Sequence, residues 1–397
     1  MSEMKKKLTE ETKMPKDKKK KKKALIIFLP ILAVFLAIVI TVVAFVAHKF
    51  SLIQFDESTT INPTQDFIEE DNEKLDFGEM DDATGNDFRE ILKNWAINGG
   101  EKMSNREIIN ILLIGSDASA EEPSRANITE KGNTDVMMLV SINQINDTIK
   151  LVSFMRDSYT YMDQFDRYAK LNAACANGGP AYLVETIEND YKIEIDGYAM
   201  VDFDSFRQVI DVLGGVNVDV PAYVANYLNK GVLKNNKIES GNGVLLDGEQ
   251  ALHFSRVRKT DADADISRVA RQRQVVNALI QKAKGATLKE INEVADVMLA
   301  NVRTNISKKS IISYASKAVT EGWANYEITE ITMPTPDTRY GYSSRSTAWI
   351  WVVDYPLAAQ KLQLELYGKT NINLPEGNRK TAITVIGGYV SKKTTDN

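Results

Sequence analysis

The chain has 397 residues, a net charge of −5, one cysteine and two histidines. A single cysteine excludes an internal disulfide framework, and the absence of any paired His/Cys spacing excludes the usual zinc motifs. The first 23 residues hold eleven lysines and four acidic residues, so this tail carries +7 and the remainder carries −12. The tail is too short for a helix-turn-helix, and we expect no nucleic-acid partner.

An uncharged apolar segment, residues 24–47, follows the lysine-rich tail of residues 1–23. It exceeds the roughly 20 apolar residues that cross a bilayer, whereas the apolar region of a cleavable signal peptide is about 7–15 residues long. Lysines on its N-terminal side place that end in the cytoplasm by the positive-inside rule. We therefore predict a single-pass cell-membrane protein whose N-terminus is cytoplasmic and whose domain after His48 is extracellular.

Residues 48–105 are acidic and polar, and we interpret them as a spacer that carries one helix. Residues 86–96 have helical periodicity, with Phe88, Ile91, Leu92 and Trp95 on one face, and two glycines follow. This face predicts a helix packed on the outer domain.

From residue 106 onward, short apolar runs alternate with helical patterns. Runs at 108–114, 136–142 and 149–155 have the length and composition of strands buried on both faces. Helices are predicted at 180–190, 203–213 and 266–282, with two more between about 286 and 321. This alternation predicts an α/β layered fold. We assign residues 106–285 to the core of the domain and 286–397 to a C-terminal helical and β extension packed on it.

The window 253–273 holds five arginines in an otherwise acidic outer domain: Arg256, Arg258, Arg268, Arg271 and Arg273. A strand over 251–258 would point Arg256 and Arg258 to one side, and a helix from residue 266 would put Arg268 and Arg271 on one face. The planar fork of arginine suits phosphate oxygens. We predict an anion site rather than a solvated basic face, because the same helix carries a buried apolar pattern.

The acidic run DADAD within this window invites a calcium-loop interpretation. A loop starting at Asp261 would need glycine at its sixth position and glutamate at its twelfth, and it has Ile266 and Gln272 there. A calcium loop is therefore excluded, and Asp265 is interpreted as a cap or first-turn acid of the following helix.

Polar residues also stand at the ends of the predicted strands, where α/β sheets tend to bind ligands. Asp117 follows the first strand, Arg156 and Asp157 follow the third, and Asp135 begins the strand between them. Taken singly, each is an ordinary residue of a loop edge. Together, two carboxylates near an arginine cluster predict a divalent cation and a pyrophosphate, since carboxylates and phosphate oxygens form the usual magnesium shell.

Two other chemistries are disfavoured. A serine-hydrolase triad lacks a GxSxG motif, and His253 is the only histidine of the outer domain. Cys175 is interpreted as a small buried residue rather than a nucleophile.

Several short motifs follow one another between about residues 108 and 283. They are GSD (115–117), TDVMML (134–139), SFMRD (153–157), KLNAA (170–174), GG (178–179), VDFDSF (201–206), DVLGGVNVDV (211–220), LDGEQAL (246–252) and RVRKTDADADISRVARQ (256–272). This ordered set closely resembles the LytR-CpsA-Psr family, and the topology of inner tail, single span and outer domain is also similar.

The resemblance implies a three-layer α/β/α domain that binds a polyprenyl-(pyro)phosphate lipid. It further implies a phosphotransferase that moves a teichoic-acid-like or capsule-like glycopolymer from that carrier to peptidoglycan. Carried over by motif, Asp117 and Asp135 would handle Mg²⁺. The residues implied in gripping the pyrophosphate are Arg156, Arg256, Arg258, Arg271, Lys170 and Gln272, with Arg268 as a weaker candidate.

One position departs from the family pattern. The family commonly has Arg-Ser-Asp where this chain has Asn133-Thr134-Asp135, and Arg125 is the candidate replacement for the expected arginine. The departure leaves two alternatives open. One is a non-catalytic polyprenyl-pyrophosphate-binding regulatory protein, and the other is a pyrophosphatase that uses water as the acceptor.

Overall fold

The computed structural model describes residues 53–56, 82–116, 134–257, 260, 264–285, 287–343, 349–375, 377 and 379–395. The chain divides into two compact units, Met1–Leu52 and Ile53–Asn397, and every described residue belongs to the second. The predicted membrane span at 24–47 and the lysine-rich tail lie outside the described residues. Within the described residues, the helices are all too short or too polar to span a membrane.

The strands are β1 (Gln54–Phe55), β2 (Ile108–Ser116), β3 (Thr134–Asn143), β4 (Thr148–Phe154), β5 (Tyr159–Met162), β6 (Arg167–Lys170), β7 (Gly197–Asp202), β8 (Val216–Val220), β9 (Gly241–Leu246), β10 (Arg303–Thr304), β11 (Glu327–Met333), β12 (Arg339–Ser343) and β13 (Trp349–Val353). The helices are α1 (Asp82–Asn98), α2 (Asn172–Tyr191), α3 (Phe203–Val212), α4 (Ala222–Lys230), α5 (Gly248–Arg256), α6 (Ala264–Gly285), α7 (Leu288–Asn301), α8 (Lys308–Thr320), α9 (Tyr355–Tyr367) and α10 (Ala382–Thr395).

A central mixed sheet has the strand order β1-β10-β7-β2-β3-β4-β11. Strands β2, β3 and β4 are the three predicted apolar runs, and they pair antiparallel in succession. Strand β7 adds parallel to β2, and β11 adds parallel to β4. The mixed α/β character predicted from the sequence is therefore confirmed. Strands β10 and β11 come from beyond residue 286, so that part of the chain completes the central sheet.

Apolar clusters cover both faces of this sheet. On one face, Leu112 and Leu139 of the sheet share a cluster with Phe88 of α1, Tyr182 of α2 and Leu362 of α9. On the other face, alternate residues of the same strands pack against α8 and the turn that follows it, where Trp323 and Tyr326 are buried. Alternating side chains of one strand reach opposite faces, which explains why the strands are continuous apolar runs.

A second, smaller core lies beside the sheet. The antiparallel pair of β8 and β9 buries Val216 and Leu246 against Ile210 of α3, Phe254 of α5 and Val275 of α6. This core fixes α5 and α6, the two helices that carry the arginine window.

The predicted strand at 251–258 is wrong, because residues 251–256 form the C-terminal part of helix α5. Asp247 caps the helix by accepting from the Gln250 backbone N–H at 2.8 Å, and the Gln250 side chain accepts from the Asp247 N–H at 3.1 Å. This reciprocal capping box starts a helix three residues before Gln250.

Helix α2 is longer than the predicted 180–190. It begins at Asn172 and kinks at Gly179, whose φ of 76° interrupts the helical geometry just before Pro180. Glycine adopts that left-handed conformation without strain, and proline is tolerated in the first turn of the segment that follows. The sequence pattern therefore located the second half of the helix.

Candidate anion-binding site at the sheet edge

The carboxyl ends of β7, β2, β4 and β11 and the start of β3 lie at one edge of the central sheet. Ser116, the last residue of β2, pairs with Asp202 at the end of β7 and with Thr134 at the start of β3. Phe154, the last residue of β4, pairs with Met333 at the end of β11. The antiparallel meander thus brings three places to the same edge: the residue before Asp117, the start of β3 that carries Asp135, and the segment after β4. This agrees with the prediction that polar residues stand at neighbouring strand ends.

The pairing of β2 with β3 contains a bulge at Asp135. Gly115 pairs with Val136 and Ser116 pairs with Thr134, so the register passes over Asp135. A bulge re-aims the extra residue and is common next to functional sites. The side chain of Asp135, together with Asp117, Arg125 and Asn133, lies outside the described residues.

Arg156, Asp157 and Lys170 form an ion-pair cluster just past β4. Asp157 Oδ1 lies 3.2 Å from Lys170 Nζ, and Asp157 Oδ2 lies 3.6 Å from Arg156 Nε. The Asp157 residue is only 8% exposed, so its carboxylate holds both cations with little solvent screening. Asp157 therefore contacts two cationic side chains at once. Asp157 was not among the predicted site residues, although its place in the SFMRD motif was the available signal.

Arg256 reaches the same edge from helix α5. Its guanidinium lies 4.5 Å above the ring centroid of Phe203, the residue that follows β7. Stacking on an aromatic ring orients a guanidinium. The Arg256 residue is exposed. From β7 to β4 is three strand spacings, about 14 Å at roughly 4.8 Å each, so Arg256 and Arg156 bracket the edge from two sides.

Two arginines of α6, Arg268 and Arg271, are buried, which contradicts a solvated basic face. Arg268 is 2% exposed, and Arg271 and Gln272 are also buried. The Arg271 Nη2 donates to the carbonyl of Val257 at 2.6 Å and so fastens the connection between α5 and α6. Arg273 links α6 to β11. Its Nε lies 3.1 Å from Glu330 Oε2, and its Nη1 donates to Thr332 of the same strand. Arg258 lies outside the described residues.

Burial shifts the pKa values of both His253 and Cys175. It lowers the pKa of His253, so the imidazole is neutral near pH 7, the form that can act as a base. Burial raises the pKa of the fully buried Cys175 thiol to about 12. A thiol with so high a pKa is a poor nucleophile.

The structure adds Arg339, which the sequence analysis did not predict. The Arg339 Nη1 donates to the carbonyl of Pro334 at 2.8 Å and lies 3.3 Å from Met155 Sδ, beside Arg156. Arg339 belongs to β12, and only the pairing of β11 with β4 brings it to this edge. No local pattern in the sequence marks that proximity.

The residues at this edge are compatible with a small hard cation. Carboxylates at Asp117 and Asp135 would be oxygen donors of the kind that Mg²⁺ prefers. Thr134 Oγ1, beside Asp135, is buried and has no hydrogen-bond partner among the described residues. In the same part of the chain, no group of three or more His, Cys, Asp and Glu side chains could hold a metal.

Comparison with known proteins supports the motif assignment. The model of the LytR_cpsA_psr family matches residues 72–363. The polyisoprenyl-teichoic acid–peptidoglycan teichoic acid transferase TagU of Bacillus cereus is 35% identical over 214 residues, which cover 53% of this chain and 65% of that protein. The corresponding transferase TagV of Bacillus subtilis is 37% identical over 180 residues, covering 45% and 46% of the two chains.

Solved structures show the same fold. TagT bound to LI-WTA aligns with a TM-score of 0.53 and 26% identity, covering 67% of this chain and 93% of that one. A protein of Streptococcus agalactiae aligns with a TM-score of 0.59 and 22% identity, over 71% and 95% of the two chains. The match to the TagU relative spans somewhat less than two thirds of that protein's length.

Proposed function

Because this chain belongs to the LytR_cpsA_psr family, we propose that it transfers a teichoic-acid-like or capsule-like glycopolymer from a polyprenyl-pyrophosphate carrier to peptidoglycan. The names of the TagU and TagV relatives, both teichoic acid transferases, support this activity. The observation that carries the proposal is the sheet edge where Arg156, Lys170 and Arg256 lie at the ends of neighbouring strands, next to the end of β2 and the start of β3.

In the proposed reaction, a hydroxyl oxygen of peptidoglycan attacks the phosphorus that bears the glycan. A new bond joins that oxygen to the phosphorus, the bond to the bridging oxygen breaks, and polyprenyl phosphate leaves. The hydroxyl proton passes to a base of the site or to solvent. Phosphoryl transfer of this kind depends on positioning and charge neutralisation more than on covalent catalysis.

The described side chains supply that positioning. Arg256, held on Phe203, binds the pyrophosphate from the β7 side, and Arg156 binds it from the β4 side. Asp157 restrains Arg156 and Lys170 and sets the direction from which they approach the anion. Arg271 positions the α5–α6 connection, which includes Arg258, through its bond to Val257.

We further propose Mg²⁺ as the cofactor, held by Asp117 and Asp135. Bound there, the ion would neutralise charge on the phosphate oxygens. Transfer should then fall on treatment with EDTA and return with added Mg²⁺. The bulge at Asp135 and the spare oxygen of Thr134 support this assignment.

The apolar segment 24–47 supports a membrane location in which the domain stands at the outer leaflet, where a lipid-linked substrate would be presented. Protease protection of the N-terminal tail in sealed, right-side-out vesicles would test that topology. Cleavage of the tail from outside would contradict it.

The site assignment is tested by Arg256→Ala in the full-length chain, assayed with lipid-pyrophosphate-linked glycan, peptidoglycan oligomer and Mg²⁺. Loss of one oriented cationic donor should reduce transfer by about 10²-fold or more. Arg207→Ala is the matched control, since Arg207 is an arginine of the adjacent helix whose ion pair is with Asp204 of its own helix. Equal activity of wild type and Arg256→Ala would show the assignment to be wrong.

Asn133, where the family commonly has arginine, favours one alternative in particular: a lipid-carrier-binding protein without turnover. The same assay separates the cases. Binding of the lipid without product would identify the regulatory protein, and release of glycan phosphate without attachment would identify the pyrophosphatase.

A further inference from the structure

Two tryptophans stand beside the candidate site on a hairpin that the proposed reaction does not use. In β13, Trp349 and Trp351 are two residues apart and lie on the same face, while Ile350 and Val352 between and beyond them are buried in the core. Trp349 is 45% exposed, the only tryptophan among the exposed large apolar residues of the described chain. The two rings meet edge to face, with centroids 5.5 Å apart and planes at 85°.

This face is continuous with the anion site. The backbone N–H of Trp351 donates to the carbonyl of Asp157 at 2.9 Å, and Trp351 forms a parallel bridge with Ser158. At the bridge the two segments run in the same direction, so Trp349 lies on the Arg156 side of Trp351. With strands spaced by roughly 4.8 Å, the backbones of this hairpin and of the Arg156–Asp157 turn are immediate neighbours.

Strand β12, which pairs with β13, leaves room for the two indole rings and restricts their orientation. Gly341 pairs with Trp351, and a Cβ at Gly341 would lie 2.5 Å from the Trp349 ring. The glycine therefore lets Trp349 lie flat across β12. The guanidinium of Arg339 covers the Trp351 ring at 4.7 Å and also contacts Met155, so it joins the aromatic face to the edge that carries Arg156.

We infer that Trp349, with Trp351 and Arg339 behind it, forms a glycan subsite in which the apolar face of a pyranose ring stacks on the exposed indole. A flat, rigid aromatic surface offers large contact area at a low entropic cost, and the neighbouring Arg339 can donate to ring hydroxyls. The subsite lies next to the pyrophosphate-binding residues, so a sugar there is within reach of the reacting phosphorus. The role of the subsite in the transfer reaction rests on the proposed function. The binding of a sugar to it does not, and can be tested separately.

The binding test uses the full-length chain in detergent, titrated with a tetramer of N-acetylglucosamine and followed by tryptophan fluorescence. Wild type should show saturable quenching, and Trp349→Leu, which keeps an apolar cover over Gly341, should bind about tenfold more weakly. Trp349→Tyr should retain most of the affinity. Tyr227→Ala is the matched control, since Tyr227 is 43% exposed on α4, outside this hairpin. Equal affinity of wild type and Trp349→Leu would overturn the inference.

A second arm identifies the source of the sugar. Prenyl-pyrophosphate binding should be unchanged by Trp349→Leu and lost in Arg256→Ala, so the two sites fail independently. In the transfer assay, a raised KM for peptidoglycan oligomer alone assigns the subsite to the acceptor, and a raised KM for the lipid-linked donor alone assigns it to the donor glycan. If neither KM changes, the subsite has no part in the reaction, and the assignment of the subsite to transfer is wrong.

Discussion

At the scale of single residues, Asp190 is a buried acid that the proposed reaction does not use. It is 1% exposed and accepts from Thr160 Oγ1 at 2.8 Å. Burial raises the pKa of Asp190 from 3.8 to about 8, partly offset by the Thr160 hydrogen bond and by the charge of Lys192. Burial also lowers the pKa of Lys192 to about 8, and its Nζ donates to the carbonyl of Ala96 at 3.0 Å. Both shifts have the direction expected for ionisable groups removed from water.

We predict that this acid makes the domain less stable as pH rises. Between the unfolded pKa near 3.8 and the folded pKa near 8, the folded state retains a proton that the unfolded state has lost, so the free energy of unfolding falls with increasing pH. From pH 5 to pH 7.5 the loss should be on the order of 1–3 kcal/mol. Asp190→Asn should flatten the dependence in urea unfolding at the two pH values. An unchanged slope would contradict the protonated state of Asp190.

At the scale of elements, periodicity located most of the fold but not helix α5. The buried strands β2, β3 and β4 were predictable because their apolar runs are continuous and short. Helix α5 has only nine residues, and the signal that the strand prediction overlooked is the Asp247–Gln250 capping box. The position of helix α5 matters for the candidate site, because its last residue is Arg256.

Removing this cap should loosen the helix that presents Arg256. Asp247→Ala is expected to lower the free energy of unfolding by about 1 kcal/mol, the usual value of a helix N-cap. Prenyl-pyrophosphate binding should weaken with it, because the arginine is at the other end of the same short helix. Ser240→Ala, at an exposed residue just before β9, is the control and should change neither quantity. Equal stability of Asp247→Ala and wild type in urea would contradict the role of the cap.

At the scale of the whole molecule, the site is assembled from distant parts of the chain. The motifs predicted Arg156, Lys170 and Arg256, but their common edge depends on the antiparallel meander and on β7 and β11 flanking it. Arg339 and the tryptophan hairpin could not be predicted, since long-range pairing leaves no local pattern in the sequence. The prediction that Arg256 and Arg258 point to one side of a strand was wrong, because Arg256 is the last residue of a helix.

The central claim is transfer of a glycan phosphate to peptidoglycan, and product analysis tests it most directly. The full-length chain in nanodiscs would be incubated with Mg²⁺, lipid-pyrophosphate-linked glycan and a soluble peptidoglycan oligomer, and the products analysed by mass spectrometry. We predict an oligomer heavier by the mass of one glycan phosphate less water, together with polyprenyl phosphate, and about 10²-fold less of both with Arg256→Ala. An unmodified oligomer, with the donor either intact or hydrolysed by water, would contradict the account.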